Sequence, residues 1–173
     1  LARCVAVLDR HPDVVLCYGR ARLIDARGAS QGDYDDDLDL SWPSAPARFR
    51  AAVERTALVN ILQGVIRTDA LRKTALMSSY PDADTVLLAE LALRGKFHEV
   101  PERLFFRRMH ETAASGLKEW DKRQKYVDPA VSTTHAAMRV TRKHLGYFSA
   151  LLRTPLTPCD RVALFCWVSC SAV

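Results

Sequence analysis

Apolar and polar positions along this chain change period several times, and each change marks an element. Leu1, Val5 and Leu8 recur at helical spacing, which predicts a helix from Leu1 to Arg10. It ends before His11-Pro12-Asp13, because a residue preceding proline is pushed out of the helical region. Val14-Val-Leu-Cys-Tyr18 is a continuous apolar run, the pattern of a strand buried on both faces. From Gly19 to Asp25, Arg20, Arg22 and Ile24 alternate with Ala21 and Leu23, so this part of the strand is expected to reach a sheet edge or twist away. Asp25-Ala-Arg-Gly28 reads as a turn. Ala29 to Ser44 is polar, with five aspartates between Asp33 and Asp39 and no base among them, and predicts a mobile surface loop.

Pro46 to Ala57 predicts a helix, with proline near its start and Phe49, Val53 and Leu58 as its stripe. Val59 to Arg67 is a second strand, interrupted by Gln63-Gly64; a glycine inside a strand pattern marks a bulge or a close approach to the backbone. Thr68 or Asp69 caps a short helix through Thr74. Asp82 or Asp84 caps the strongest helix, Thr85 to Arg94, which Gly95 closes. Phe97 to Phe106 predicts a strand pair around Pro101. After Gly116 the residues read as helical and basic, broken at Pro129, Pro155 and Pro158. Strands alternating with helices define an α/β class, a central sheet flanked by helices with a C-terminal helical tail. Four strand segments are fewer than a complete doubly wound sheet offers, and the first helix is entered part-way at Leu1. Both point to a piece of a longer protein.

Composition refines this picture at two points. With 49% hydrophobic and 26% charged residues, the 173-residue chain is globular, which excludes fibrous and disordered classes. The net charge of +5 lies entirely in the tail: residues 117–173 hold nine Lys and Arg against four Asp and Glu, while residues 1–116 balance at sixteen each. The tail's bases lie around Trp120, Tyr126, Tyr147 and Phe148 without a repeated aromatic platform, so solvated helix faces explain them and nucleic acid is not an expected partner. No signal peptide is present, and the apolar stretch Val162 to Val173 is too short to span a bilayer. The five cysteines lack C-x-x-C spacing; Cys166 and Cys170 lie one helical turn apart but make a poor zinc site without other ligands. Reduced, packed thiols in a cytoplasmic compartment are expected.

Three polar features stand beside the elements: Gln63-Gly64, Asp82-Ala83-Asp84, and Arg107-Arg108-Met-His110. A carboxylate at a helix start stays ionised and is able to act as a general base. Arginine binds phosphate oxygens bidentately, and histidine can ligate a divalent metal. In order, Tyr80-Pro-Asp-Ala-Asp-Thr-Val-Leu-Leu-Ala-Glu-Leu-Ala-Leu-Arg-Gly-Lys-Phe-His-Glu-Val-Pro-Glu-Arg-Leu-Phe-Phe-Arg-Arg-Met-His110 closely resembles the C-terminal half of family 2 glycosyltransferases, inverting enzymes with a GT-A type nucleotide-sugar fold. His11 to Asp25 resembles the strand after their metal-binding segment, and Asn60 to Leu71 their acceptor-side strand and helix.

The resemblance covers residues 1–115 and implies a partial GT-A catalytic domain there, with 116–173 as a basic helical tail. It implies that Asp84 is the general base, with Asp82 the alternative because Ala83 departs from the usual Glu or Ser. Gln63 and Gly64 lie on the acceptor side, Arg107 or Arg108 neutralises the departing diphosphate, and His110 touches the metal or the diphosphate. The cofactor implied is a divalent metal, Mg or Mn, held mostly by an Asp-x-Asp that this chain lacks. The Asp35-Asp36-Asp37 run is not that motif, since no apolar strand leads into it. The partners implied are a nucleotide-sugar donor and a glycan or lipid-linked acceptor. A peripheral contact of the basic tail with the inner face of the membrane fits such an acceptor. The competing expectation is a non-catalytic binding or scaffold module of the same fold.

Overall fold

The computed structural model describes residues 1–110, 120–127 and 137–171. Helix α1 (Ala2–Arg10) buries Cys4 and Leu8, one turn apart, and ends where the His11 amide donates to Val7 O at 3.0 Å. Strand β1 (Val14–Ile24) follows, with Val14 to Tyr18 buried without interruption. It is the centre of a mixed four-stranded sheet. β4 (Lys96–Arg108) pairs parallel to it along its whole length. On its other side the short β3 (Val65–Ile66) pairs antiparallel with Leu16 and Cys17, and β2 (Ser30–Tyr34) pairs antiparallel with Ala21 to Ile24.

The second half of β1 does not reach an edge: its alternation reflects a polar face on which Arg20 pairs with Glu99 of β4 at 2.7 Å and Arg22 with Asp33 of β2 at 2.8 Å. Nor is the polar stretch 29–44 a surface loop throughout. Ser30 to Tyr34 is a strand, and beyond it Asp36, Leu38 and Leu40 are buried while Asp35, Asp37 and Asp39 are exposed, a period of two. The bases that offset its aspartates come from elsewhere in the sheet, Arg103 of β4 lying 2.8 Å from both Asp33 and Asp35.

The predicted strand pair around Pro101 is the single strand β4. Gly19 faces Val100, but Arg20 faces Arg103, so Pro101 and Glu102 sit in a bulge where proline's missing N–H costs no ladder bond. The predicted strand from Val59 is mostly a 3₁₀ turn, Asn60–Gln63, entered through Val59 in the left-handed region at φ 58°.

Helix α2 (Ala45–Arg55) is capped by Ser44, whose Oγ accepts from the Ala47 amide at 3.3 Å. The N-cap of α3 (Thr68–Leu71) is Arg67, in place of the expected Thr68 or Asp69. Helix α4 (Ala83–Arg94) buries its sequence from Thr85 to Leu93 and ends at Gly95 as expected, but for a different reason. Gly95 is extended at φ −176°, so no left-handed turn requires it; a Cβ there would run into Val15 Cγ1 and lie 2.9 Å from Asp13 O.

Past α5 (Trp120–Val127), helices α6 (Ala137–Arg153) and α7 (Pro158–Cys170) join the main core. Tyr147, Leu151, Leu164 and Val168 belong to the same apolar cluster as Leu16, Tyr18, Phe49, Leu88 and Phe97. Tyr147 and Trp167 both meet Phe49 edge-on, with ring centroids 5.7 and 6.1 Å away. A smaller cluster joins Cys4 and Leu8 of α1 to Val14, Cys17 and Val100. All five cysteines are free thiols, and only Cys4 and Cys17 are packed; Cys159, Cys166 and Cys170 are exposed. Among the described residues no helix is long and apolar enough to cross a membrane. Pro129 and Gly116 lie outside the described residues.

Candidate functional site

The start of α4 is built by its own backbone. Ala83 N donates to Tyr80 O at 3.2 Å, Asp82 takes the left-handed conformation at φ 68°, and Thr85 Oγ1 donates to Asp82 O at 2.7 Å. Asp82 stands at the cap position without a side-chain capping bond, while an Asp84 carboxylate oxygen accepts from the Thr85 amide at 2.9 Å. Both carboxylates are half-buried. They face Tyr147 of α6: burial first, with the charges of Asp82 and Asp84 adding to it, pushes that phenol up to about 12. Tyr147 therefore stays protonated at neutral pH. Beside this helix start lies a cavity of about 560 Å³, walled by Tyr80, Ala83, Val86, Leu145, Gly146 and Ser149.

Gln63 and Gly64 lie elsewhere. They line a smaller cavity of about 170 Å³ with Cys4, Tyr18, Asn60 and Leu104; Asp82 and Asp84 belong to the lining of neither cavity. Gln63 is exposed. Gly64 is required by the protein's own backbone, because a Cβ there would run into Cys17 O and lie 2.8 Å from Tyr18 Cβ.

Arg107 and Arg108, adjacent on β4, point to opposite faces of the strand. Arg107 Nη1 donates to Leu58 O at 2.6 Å and Asn60 Oδ1 at 2.8 Å; Arg108 Nη1 donates to Asp25 O at 2.9 Å and Ala26 O at 2.8 Å. The first arginine thus joins the Asn60–Gln63 turn, and the second braces the turn between β1 and β2. His110 is exposed just beyond the strand, where Met109 N still donates to Ile24 O at 2.8 Å. No group of three or more His, Cys, Asp or Glu among the described residues could hold a metal ion.

Two networks were not foreseen. In the first, the Tyr18 hydroxyl donates to Glu99 Oε2 at 3.1 Å and accepts from Leu38 N at 3.2 Å, while Arg20 Nε donates to Glu99 Oε1 at 2.7 Å. Burial, and then the Glu99 charge, hold the Tyr18 phenol far above its ordinary range. Next to it, Asn60 Nδ2 donates to both oxygens of the buried Asp36 at 3.3 and 3.4 Å, linking Asp36 through Asn60 to Arg107. Burial raises the Asp36 carboxyl.

The second network is centred on Glu90, buried in the middle of α4. It accepts from Arg153 Nη1 with both oxygens at 2.8 and 2.9 Å, from Arg94 Nη2 at 2.9 Å and from Ala75 N at 3.2 Å. The signal for it was a lone glutamate in an apolar helix with arginine four residues later. Alternation of Asp36, Leu38 and Leu40 was the signal for the other. No protein-family model, no curated protein and no solved structure matches the chain.

Proposed function

We propose that this chain is the acceptor-side part of an inverting glycosyltransferase of GT-A type, which moves a sugar from a nucleotide diphosphate to an acceptor hydroxyl. The observation that carries the reading is the pair of half-buried carboxylates, Asp82 and Asp84, at the start of α4. Lys96 N donates to Asp13 O at 2.9 Å, so β1 and β4 start side by side where α4 ends. At its other end α4 starts with that pair, Asp82 at the N-cap and Asp84 in the first turn. A carboxylate pair at that helix start, beside a cavity with Tyr80 and Ser149 in its wall, suits a hydroxylated acceptor.

In this mechanism Asp84 removes the proton of the acceptor hydroxyl. The oxygen attacks the anomeric carbon as the bond to the diphosphate oxygen breaks, and the configuration inverts. Arg107 and Arg108, on opposite faces of β4, each commit Nη1 to neutral oxygens, and one of the two, Arg107 or Arg108, meets the leaving diphosphate with its remaining N–H groups. The divalent metal, Mg or Mn, does not fit the described residues, which offer His110 but no cluster around it. The acceptor is a glycan or lipid-linked glycoconjugate on the cytoplasmic side, with the basic C-terminal helices in peripheral contact with the membrane.

Asp84→Asn in the full-length protein should lower transfer by roughly 10²- to 10⁴-fold, about 3 to 5 kcal/mol of barrier. Transfer and nucleotide-sugar hydrolysis that both stay unchanged would end the assignment. A scaffold role is the second reading, favoured by the carbonyl bonds of both arginines and by Ala83 between the two aspartates. A full-length protein that binds glycan but turns over no nucleotide sugar would select it.

A further inference from the structure

The other end of α4 borders an open cleft of about 740 Å³ between α3, the last turn of α4 and the end of α6. Arg67, Lys73, Arg94 and Arg153 line it, against Asp69. Much of that positive charge is uncompensated. Arg94 and Arg153 converge on one carboxylate, Glu90, behind the cleft wall. Arg67 donates to neutral carbonyls, those of Val14 at 3.1 Å and Leu8 at 2.6 Å. Lys73 is exposed and has no ion pair among the described residues, and Asp69 is drawn to Arg72, 4.0 Å away. Counting Glu90 with the lining, the cleft keeps two net positive charges.

Its wall also holds unused hydrogen-bonding capacity. Among the described residues Arg94 Nε and Thr154 Oγ1 are buried without a hydrogen-bond partner, in an arginine side chain 8% exposed and a threonine 3% exposed. A buried donor left unpaired is unfavourable, so the fold tolerates a penalty here that an acceptor would relieve. Donors from three separate elements surround the space. That arrangement fits a tetrahedral oxyanion with several acceptor oxygens better than a planar carboxylate with two.

We propose that this cleft binds a phosphoryl group, with Lys73, Arg94 and Thr154 as its contacts and Arg153 and Arg67 supplying the field. The assignment does not rest on sugar transfer: it concerns the opposite end of α4 from Asp84 and is read by binding alone. The phosphoryl group belongs either to a small soluble phosphate compound or to a lipid headgroup, and two probes separate these sources. Inorganic pyrophosphate is titrated onto the 173-residue chain by calorimetry, with sodium chloride at matched ionic strength as the blank. Vesicles of phosphatidylglycerol and of phosphatidylcholine are tested by sedimentation.

Saturable binding of pyrophosphate is expected, weakened about tenfold or more in Lys73→Glu and severalfold in Thr154→Val, since bonds to a charged group are at stake. Lys73 is exposed, so its variant keeps the fold, which circular dichroism checks. Binding of pyrophosphate without binding to either vesicle assigns a soluble phosphate. Binding to phosphatidylglycerol alone among the vesicles, lost in Lys73→Glu, assigns a headgroup. Absence of saturable binding to both probes, or binding that Lys73→Glu leaves unchanged, overturns the proposal.

Discussion

Asp36 carries a carboxylate into an apolar setting where, among the described residues, only Asn60 bonds it directly. Burial raises its pKa above the ordinary 3.8, so on acidification the folded state takes up a proton before the unfolded chain does. Its contribution to stability therefore falls as pH rises through the window from the unfolded value to the raised one, and above that window the whole cost of an ionised buried group persists. Asp36→Asn abolishes that titration. The unfolding free energy of the variant relative to the parent should shift in the variant's favour as pH rises above the ordinary 3.8, as urea titrations at several pH values would show. A difference that stays flat, or moves the other way, contradicts the account. Asp36 could be found in the sequence only by reading Asp36, Leu38 and Leu40 as one inward face; the surrounding aspartates hid that alternation. Asp82 and Asp84 were easier, because a helix start and its apolar run are local signals. Tyr147, which faces them, lies more than sixty residues away and no local pattern joins it to them.

The reversal from α4 into β4 depends on a single residue. Gly95 lets the chain pass Val15 and Asp13 at a distance no side chain permits. Gly95→Ala should lower stability by about 1 to 3 kcal/mol, the usual cost of forcing a methyl into a packed site, and chemical denaturation would measure it. A loss under a few tenths of a kcal/mol would mean that the strand start gives way easily. At this scale the helices were legible, because their stripes and caps are contained within a few turns. β2 was not. It reads as solvated loop until Arg22 and Arg103, one strand away and some seventy residues away, are set against Asp33 and Asp35. The split of Val59–Arg67 into a 3₁₀ turn and a two-residue strand was likewise decided by a tertiary contact, the approach of Gly64 to Cys17.

The whole molecule has one main core, and α6 and α7 supply part of it. Residues 1–115 produced alone would leave Phe49 without Tyr147 and Trp167, and Glu90 without Arg153. That piece should unfold without a sharp transition and bind the dye ANS, as a collapsed chain with exposed apolar surface does; a cooperative transition matching the full chain would establish 115/116 as a true domain boundary. The α/β class was legible from alternating strand and helix patterns, but the sharing of a core across that boundary was not, because it depends on which faces meet. The central pairing of β1 with β4 has a consequence in time as well. Tyr18 and its partner Glu99 are 81 residues apart in the chain. At roughly 5 to 20 residues per second of synthesis, β1 leaves the ribosome some 4 to 16 s before the strand that will cover its flank, long after hairpins of microsecond formation have had time to form. The antiparallel ribbon of β1 and β2 is thus available before β4, and for those seconds the apolar run Val14 to Tyr18 stands without the strand that pairs along its flank.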